Sequence, residues 1–283
     1  MKILHFERDG EARLGLKAQG GVIDVKAASS GGVPATLEEL FAAGEEGLAA
    51  LRKLAAEYRG ELLPEEDLRF APAVPAPSKI LCVGLNYADH AAESGMELPK
   101  TPVLFSKFPN ALAAHGEEVP LPGVTDTYDY EAELVAVIGR RARNVTEEEA
   151  MDYVFGFTCG NDVSAREMQM LTSQWLLGKT FDGFAPIGPY VTTKDEVDPG
   201  NLEIRCFRNG AEVQHSNTRQ LIFSVPVLVS YLSRYMTLEP GDIIFTGTPN
   251  GVVLGRPEKD WVKPGELIEV EIEGLGRLSN RMK

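Results

Sequence analysis

Cysteine is scarce in this chain. Cys82, Cys159 and Cys206 are the only three in 283 residues, and no CxxC pair occurs. An odd, scattered set of thiols argues against a disulfide framework and against a zinc–thiolate site. Long apolar runs are missing too. The longest, from Leu221 to Leu232, is broken by Ser224 and Pro226 and is too short to span a bilayer. The opening MKILHFERDGEARLG holds no apolar stretch of signal-peptide length, so a cytoplasmic location is expected. Positive charge is the third deficit, with 28 Lys and Arg against 42 Asp and Glu and a net charge of −14. Such a chain repels nucleic-acid backbones and anionic membrane surfaces, so neither is expected as a partner. An anionic metabolite stays admissible where a metal ion or local Lys and Arg reverse the field.

Turn formers, by contrast, are plentiful: 28 Gly and 18 Pro. Residues 1–25 read as a meander of three short strands, with turns at Asp9-Gly10 and Gly20-Gly21. Thr36 and Glu39 form a capping box, and Leu37, Leu40, Phe41, Leu48, Leu51 and Ala55 keep helical spacing behind it. The Pro-rich, uncharged stretch 71–78 reads as a linker. It divides a small N-terminal domain, 1–70, from a larger domain, 79–283.

The larger part opens with a strand from Lys79 to Gly84 and a turn into a short helix carrying residues 86–93. A second strand reads Tyr130 to Ile138, and Thr146 with Glu149 caps a helix. Phe155 to Cys159 return as a strand, Asn209-Gly210 turns a hairpin, and Glu266 to Arg277 alternate as a strand pair. Strands dominate and no regular βα alternation appears, which predicts an α+β fold of mainly antiparallel or mixed sheet. The apolar run 221–232 fits core better than a dimer interface.

Glu131 and Glu133, two apart on a strand, point to one face. Adjacent carboxylates repel unless a cation sits between them. A solvated strand face is the plain reading, but Val135 and Val137 on the same face are apolar and direct it into a core. With Asp162 at the end of a nearby strand, three carboxylates suit a hard ion, Mg²⁺ or Mn²⁺, with Ca²⁺ also admissible. His90 and Glu93 are three apart on a helix, the spacing of a carboxylate-oriented general base and equally of an ordinary surface helix. Lys179 lies in the apolar, glycine-bearing run LGKTFDGF, as an edge-strand lysine or as a buried cation facing a substrate anion. The loop Thr246-Gly247-Thr248-Pro249 is either a simple turn or a cradle of hydroxyls and N–H groups. His5, His115 and His215 read as strand surface, loop and hairpin end.

Five segments together carry more information than any one of them. Gly84-Leu85-Asn86-Tyr87-Ala88-Asp89-His90-Ala91-Ala92-Glu93, Asp129-Tyr130-Glu131-Ala132-Glu133-Leu134, Gly160-Asn161-Asp162-Val163-Ser164-Ala165-Arg166, Gly178-Lys179-Thr180-Phe181-Asp182 and Thr246-Gly247-Thr248-Pro249 occur in this order. In type and order they resemble the fumarylacetoacetate hydrolase family over residues 79–283. Residues 1–70 resemble the short N-terminal unit of bacterial-type members. The resemblance implies a mixed β-roll with stacked sheets and a homodimer. It places a divalent metal on Glu131, Glu133 and Asp162, a catalytic pair at His90 and Glu93, Lys179 beside them, and ligand contacts at Arg166, Gln169 and Thr248. The implied reaction is cleavage of a C–C bond in a small 2-oxo or 2,4-dioxo acid, by water activated at His90 and release of a metal-held enolate. Oxaloacetate decarboxylation, hydration or isomerisation of oxo-dienoates, and metabolite binding without turnover are the alternatives. Ser106, Lys107 and Trp175 are the expected readers of the substrate tail.

Overall fold

A computed structural model describes residues 1–29, 31–88 and 99–283. Strands β1 (Lys2–Arg8), β2 (Glu11–Ala18) and β3 (Gly21–Asp24) form the expected meander. A single helical turn, α1 (Val25–Ala28), leads to α2 (Leu37–Glu57), where the Thr36 side chain accepts from the Glu39 N–H at 3.2 Å. Leu37, Leu40, Leu48 and Leu51 bury one face of α2. The helix is not continuous as its periodicity predicts, because Gly44 at φ 56° and ψ −133° kinks it. Strand β4 (Phe70–Ala71) pairs with β1. The Pro-rich stretch that follows is packed: Ala73 and Val74 are buried.

The larger part contributes β5 (Ile80–Gly84), β6 (Val103–Lys107), β7 (Leu112–Ala113), β8 (Glu118–Val119), β9 (Tyr128–Asp129), β10 (Ala132–Ile138), β11 (Val154–Asn161) and β12 (Ser164–Ala165). Two short helices, α3 (Arg166–Met170) and α4 (Leu176–Lys179), precede β13 (Ala185–Thr193) and the hairpin β14 (Glu203–Arg208) and β15 (Ala211–Asn217). Helix α5 (Val225–Tyr235), strand β16 (Ile243–Phe245) and the pair β17 (Leu267–Ile272) and β18 (Gly276–Met282) complete the chain. Thr146 and Glu149 do exchange capping hydrogen bonds, yet only a 3₁₀ turn, Ala150–Tyr153, follows. The chain enters β11 at Val154, and the sheet takes the backbone groups that a longer helix would need.

Among the described residues the main sheet runs β3-β2-β1-β13-β11-β10-β16-β5-β6, antiparallel except for the β16–β5 pair. The N-terminal strands therefore extend the same sheet, through Ile3 opposite Val191. A second sheet, β15-β14-β17-β18-β8, stacks on one face of it. Leu134, Ala136, Ile138 and Phe157 meet Ile204, Val270 and Leu278 between the sheets, joined by Leu228, Val229 and Leu232 of α5. Val135, Val137 and Phe245 face the other way, toward Leu37, Leu40 and Leu51 of α2. Strand β10 is thus buried on both faces. The fold is α+β with mixed, stacked sheets, as the sequence predicts, and Val225, Leu228, Val229 and Leu232 of the run 221–232 lie in the core. No described helix is long and apolar enough to cross a membrane.

His5 departs from its surface reading. It is 4% exposed, and its Nδ1 donates to the Ala73 carbonyl at 3.0 Å. Burial lowers its pKa to about 4, against a partial rise from that hydrogen bond. The unfolded chain takes up the proton from about pH 6.5 downward, whereas the folded chain resists until about pH 4. Stability is therefore fully present above pH 6.5 and is lost as pH falls through that window. In urea titrations at pH 7 and pH 4.5, the stability advantage of wild type over His5→Asn should shrink by about 2–3 kcal/mol at the lower pH. An advantage that stays constant with pH would show that His5 does not carry this dependence.

Candidate metal centre and active-site cavity

The seam between β10 and β11 gathers the acidic residues. Ala132 pairs with Asn161 and Glu133 with Gly160 in the ladder. Glu131 lies just outside the strand predicted to hold it, fixed by its N–H on Asn161 Oδ1 at 2.9 Å and by its carbonyl, which accepts from the Asp162 N–H at 2.9 Å. Each of Glu131, Glu133 and Asp162 offers a carboxylate oxygen, these oxygens lie within 4.8 Å of one another, and all three residues are buried.

Three cations converge on this cluster. Lys179 Nζ lies 2.8 Å from Glu131 Oε2 and 2.8 Å from Asp162 Oδ2. Arg166 reaches Glu131 Oε1 at 2.6 Å and Asp129 Oδ2 at 2.9 Å. Lys107 Nζ lies 2.6 Å from Asp162 Oδ1. Burial works to raise the Glu131 carboxyl, but the Arg166 and Lys179 charges overcome it and hold it at about 2. Lys179 keeps its proton, because Asp162 and Glu131 outweigh the burial that disfavours its charge. Glu133 has no ion pair among the described residues. Its Oε2 accepts the Gly247 N–H at 2.7 Å, and burial together with Asp162 and Glu131 pushes its carboxyl well above the usual range. An all-oxygen, buried donor set with one uncompensated carboxylate fits a hard divalent cation.

Lys179 reaches the cluster from the end of α4 because α4 lies almost on the backbone of α3. A Cβ at Gly178 would stand 2.4 Å from the Gln169 backbone nitrogen and 2.6 Å from the Ala165 oxygen, so only glycine permits that approach. Lys179 is accordingly the buried cation of the two readings, not an edge-strand residue. Arg166 Nη1 donates to Gln169 Oε1 at 3.0 Å, and Thr248 Oγ1 accepts from Gln214 Nε2 at 2.9 Å. A cavity of about 540 Å³ opens over the group. Glu131, Glu133, Arg166, Gln169, Lys179 and Thr248 line its polar part, and Val83, Phe105, Met170, Trp175 and Leu254 its apolar part.

Six of the nine predicted site residues thus meet in one cavity, and Asp162 sits in the adjoining carboxylate cluster. His90 and Glu93 lie outside the described residues. The strand leading to them is anchored: buried Asn86 donates to Thr246 O at 2.8 Å and accepts from Phe223 N at 2.7 Å. Asn86 and Tyr87 precede any helix, contrary to the helix expected from residue 86. Phe105 rather than Ser106 faces the cavity, and Lys107 lies beneath it, donating to the carbonyls of Val163, Lys179 and Phe184 at 3.0, 2.5 and 2.7 Å. A lysine so enclosed cannot read a substrate tail.

Two supporting residues carry no sequence signal beyond motif membership or none at all. Asp129 accepts from Arg166 Nε at 2.9 Å and from the Val253 and Leu254 N–H groups at 2.8 and 2.9 Å, which fixes Arg166 against the cavity rim. Gln214 Oε1 accepts from Ala132 N at 3.0 Å, so this side chain ties the Thr248 loop to β10.

Comparison with known proteins agrees with this geometry. The family described as fumarylacetoacetate (FAA) hydrolase, C-terminal, matches residues 79–283. A mitochondrial protein of Bos taurus named oxaloacetate tautomerase FAHD2A is 42% identical over 289 residues, covering 100% of this chain and 91% of its own. The fumarylacetoacetate hydrolase structure from Exiguobacterium antarcticum is 33% identical with a TM-score of 0.82, covering 100% of this chain and 99% of that one. The maleylpyruvate hydrolase of Sphingobium sp. SYK-6, solved in complex with manganese(II) and pyruvate, is 30% identical with a TM-score of 0.81 over 100% and 98% of the two chains. With its motifs assembled around one cavity, the chain belongs to the fumarylacetoacetate hydrolase family.

Proposed function

We propose that the chain is a divalent-cation-dependent enzyme acting on a small 2-oxo acid, and that its reaction is the keto–enol interconversion of oxaloacetate. The observation carrying this reading is the cavity floor, where three carboxylates suited to a hard cation lie beside the Lys179 ammonium. A divalent cation held by Glu131, Glu133 and Asp162 would polarise the 2-oxo group and acidify the neighbouring C3–H. The tautomerase name of a relative spanning the whole chain supports oxaloacetate as the substrate.

Lys179 keeps its proton and so acts as a fixed charge and donor toward an enolate oxygen rather than as a base. Arg166, locked by Asp129 and Glu131, orients the acid's carboxylate from the cavity wall. His90 is assigned as the base on the family resemblance, with Glu93 orienting its ring. In the enol-forming direction His90 takes the C3 proton, the C–H electron pair becomes the C2=C3 double bond, and the former carbonyl oxygen gains a proton. No co-reactant is required. The second reading is hydrolysis of an acylpyruvate, supported by the manganese- and pyruvate-bound maleylpyruvate hydrolase. There His90 takes a proton from water, the resulting hydroxide attacks the distal carbonyl, and C–C cleavage releases the acyl group as its carboxylic acid together with a pyruvate enolate, which is protonated at C3.

EDTA-stripped protein assayed for decay of enol-oxaloacetate should be inactive and should recover on addition of Mn²⁺ or Mg²⁺. Lys179→Met should lower kcat by about 10²–10³, the usual loss for one oxyanion stabiliser. Pyruvate formation from acetylpyruvate without faster oxaloacetate enol decay would move the assignment to the hydrolase, and silence on both would overturn it.

Glu133→Gln keeps an acceptor for the Gly247 N–H but removes one of three crowded negative charges. Its Mn²⁺ affinity by isothermal titration should fall at least about tenfold, while its melting temperature in EDTA should match or exceed that of wild type. Unchanged Mn²⁺ affinity would remove Glu133 from the metal site.

A further inference from the structure

Outward from the charged floor, the cavity wall is aromatic. Lys179 Nζ stands 4.9 Å over the Phe105 ring, and the Phe105 and Trp175 centroids are 5.4 Å apart at 61°. Trp175 caps the turn into α4, its carbonyl accepting the Gly178 N–H at 3.0 Å, so one turn of chain sets both the indole and Lys179. The indole also rests directly on the backbone of Gly84 at the end of β5. A Cβ at that position would meet Trp175 Cζ3 at 2.5 Å and Cη2 at 2.9 Å. Gly84 therefore leaves the space the ring fills, and Phe105 braces it from the side. The half-buried indole is thus supported at the cavity wall from two sides, by the Gly84 backbone and by the Phe105 ring.

We propose that Trp175, seated on Gly84 and braced by Phe105, sets the chain length of the acid this site accepts and restricts the protein to short 2-oxo acids. The proposal rests on the 2-oxo acid reading above. It makes Trp175 a specificity-determining residue: it contributes no charge or proton, and the head of the substrate is held without it.

The test is isothermal titration of Mn²⁺-loaded protein with pyruvate, 2-oxobutanoate, 2-oxohexanoate and 2-oxooctanoate. Wild type should bind the first two and lose at least about tenfold in affinity by the eight-carbon acid, the penalty for pressing methylenes against the braced indole. Trp175→Ala should hold pyruvate within a few-fold of wild type and abolish or reverse the loss with length. Adding Gly84→Val to Trp175→Ala places methyls where the ring stood and should restore the short-chain preference, a rescue that general loosening of the fold would not give. Trp175→Phe, which keeps the Phe105 contact, should shift the cut-off by fewer carbons and serves if the alanine variant does not fold. Wild-type length dependence in both Trp175 variants, with pyruvate still bound, would overturn the proposal and leave the function standing. Failure of pyruvate to bind wild type would overturn the function and this proposal together.

Discussion

The structure depends on a buried charge cluster at the seam of β10 and β11. Asp129, Glu131, Glu133 and Asp162 are all buried there, together with Lys107, Arg166 and Lys179. Removing a carboxylate or ammonium from water costs several kcal/mol, and leaving one unpaired in the interior typically costs about 3–5 kcal/mol. The cluster is tolerable only because nearly every oxygen has a cation or N–H opposite it. The sheet around it follows from that demand. A strand open to solvent on one face would let water screen the pairs, and β10 instead lies between the inter-sheet core and the α2 core.

The same demand explains the supporting residues. Lys107 ties Asp162 to the carbonyls of Val163, Lys179 and Phe184, so the chain after β11, the end of α4 and the approach to β13 are held by one ammonium. Asp129 does the reverse with backbone N–H groups, joining Arg166 to the loop at Val253 and Leu254. Each is a buried ion whose hydrogen bonds are met by main chain, which fixes the loops rather than merely neutralising charge. The floor is preorganised by this shell, and Glu133, whose hydrogen bond among the described residues is to the Gly247 N–H, is the place where the proposed cation would enter.

Local patterns were the legible part of the fold. The hairpin at Asn209-Gly210, the N-terminal meander and the Thr36–Glu39 cap each follow from residues a few positions apart, and each formed. Misreadings fell where distant packing decides. His5 looks like strand surface by alternation, but both faces of β1 are packed: Ile3 lies in the core under α2 and Leu4 and Phe6 in a cluster with Val22 and Tyr190, so Ile3 to Phe6 are all buried. The Thr146–Glu149 box starts a helix that the adjacent β11 cuts to one turn. In the site, motif order identified Glu131, Glu133, Asp162 and Lys179, whereas Lys107 and Gln214 gain their roles from partners far along the chain. Lys107 meets Val163 across 56 positions and Gln214 meets Ala132 across 82, distances over which spacing alone carries no signal.

The cavity separates chemistry from selection. On the proposed reading its floor would support formation of an enolate from any 2-oxo acid, and that step is shared by tautomerisation and by C–C hydrolysis, so the floor alone does not choose between them. The choice turns on what stands beyond C3. A hydrolase must house an acyl group and a water on the side of its distal carbonyl. A tautomerase of a four-carbon acid needs neither and gains by filling that space, since an enol exposed to water ketonises without the enzyme's control. On the proposal above Trp175 would fill part of it, and the absence of a side chain at Gly84 is what lets the indole come so close to that strand end. On the proposed reading, the aromatic wall and the charged floor therefore select the same ligand: a short 2-oxo acid gripped at its head, with the indole standing against any longer tail.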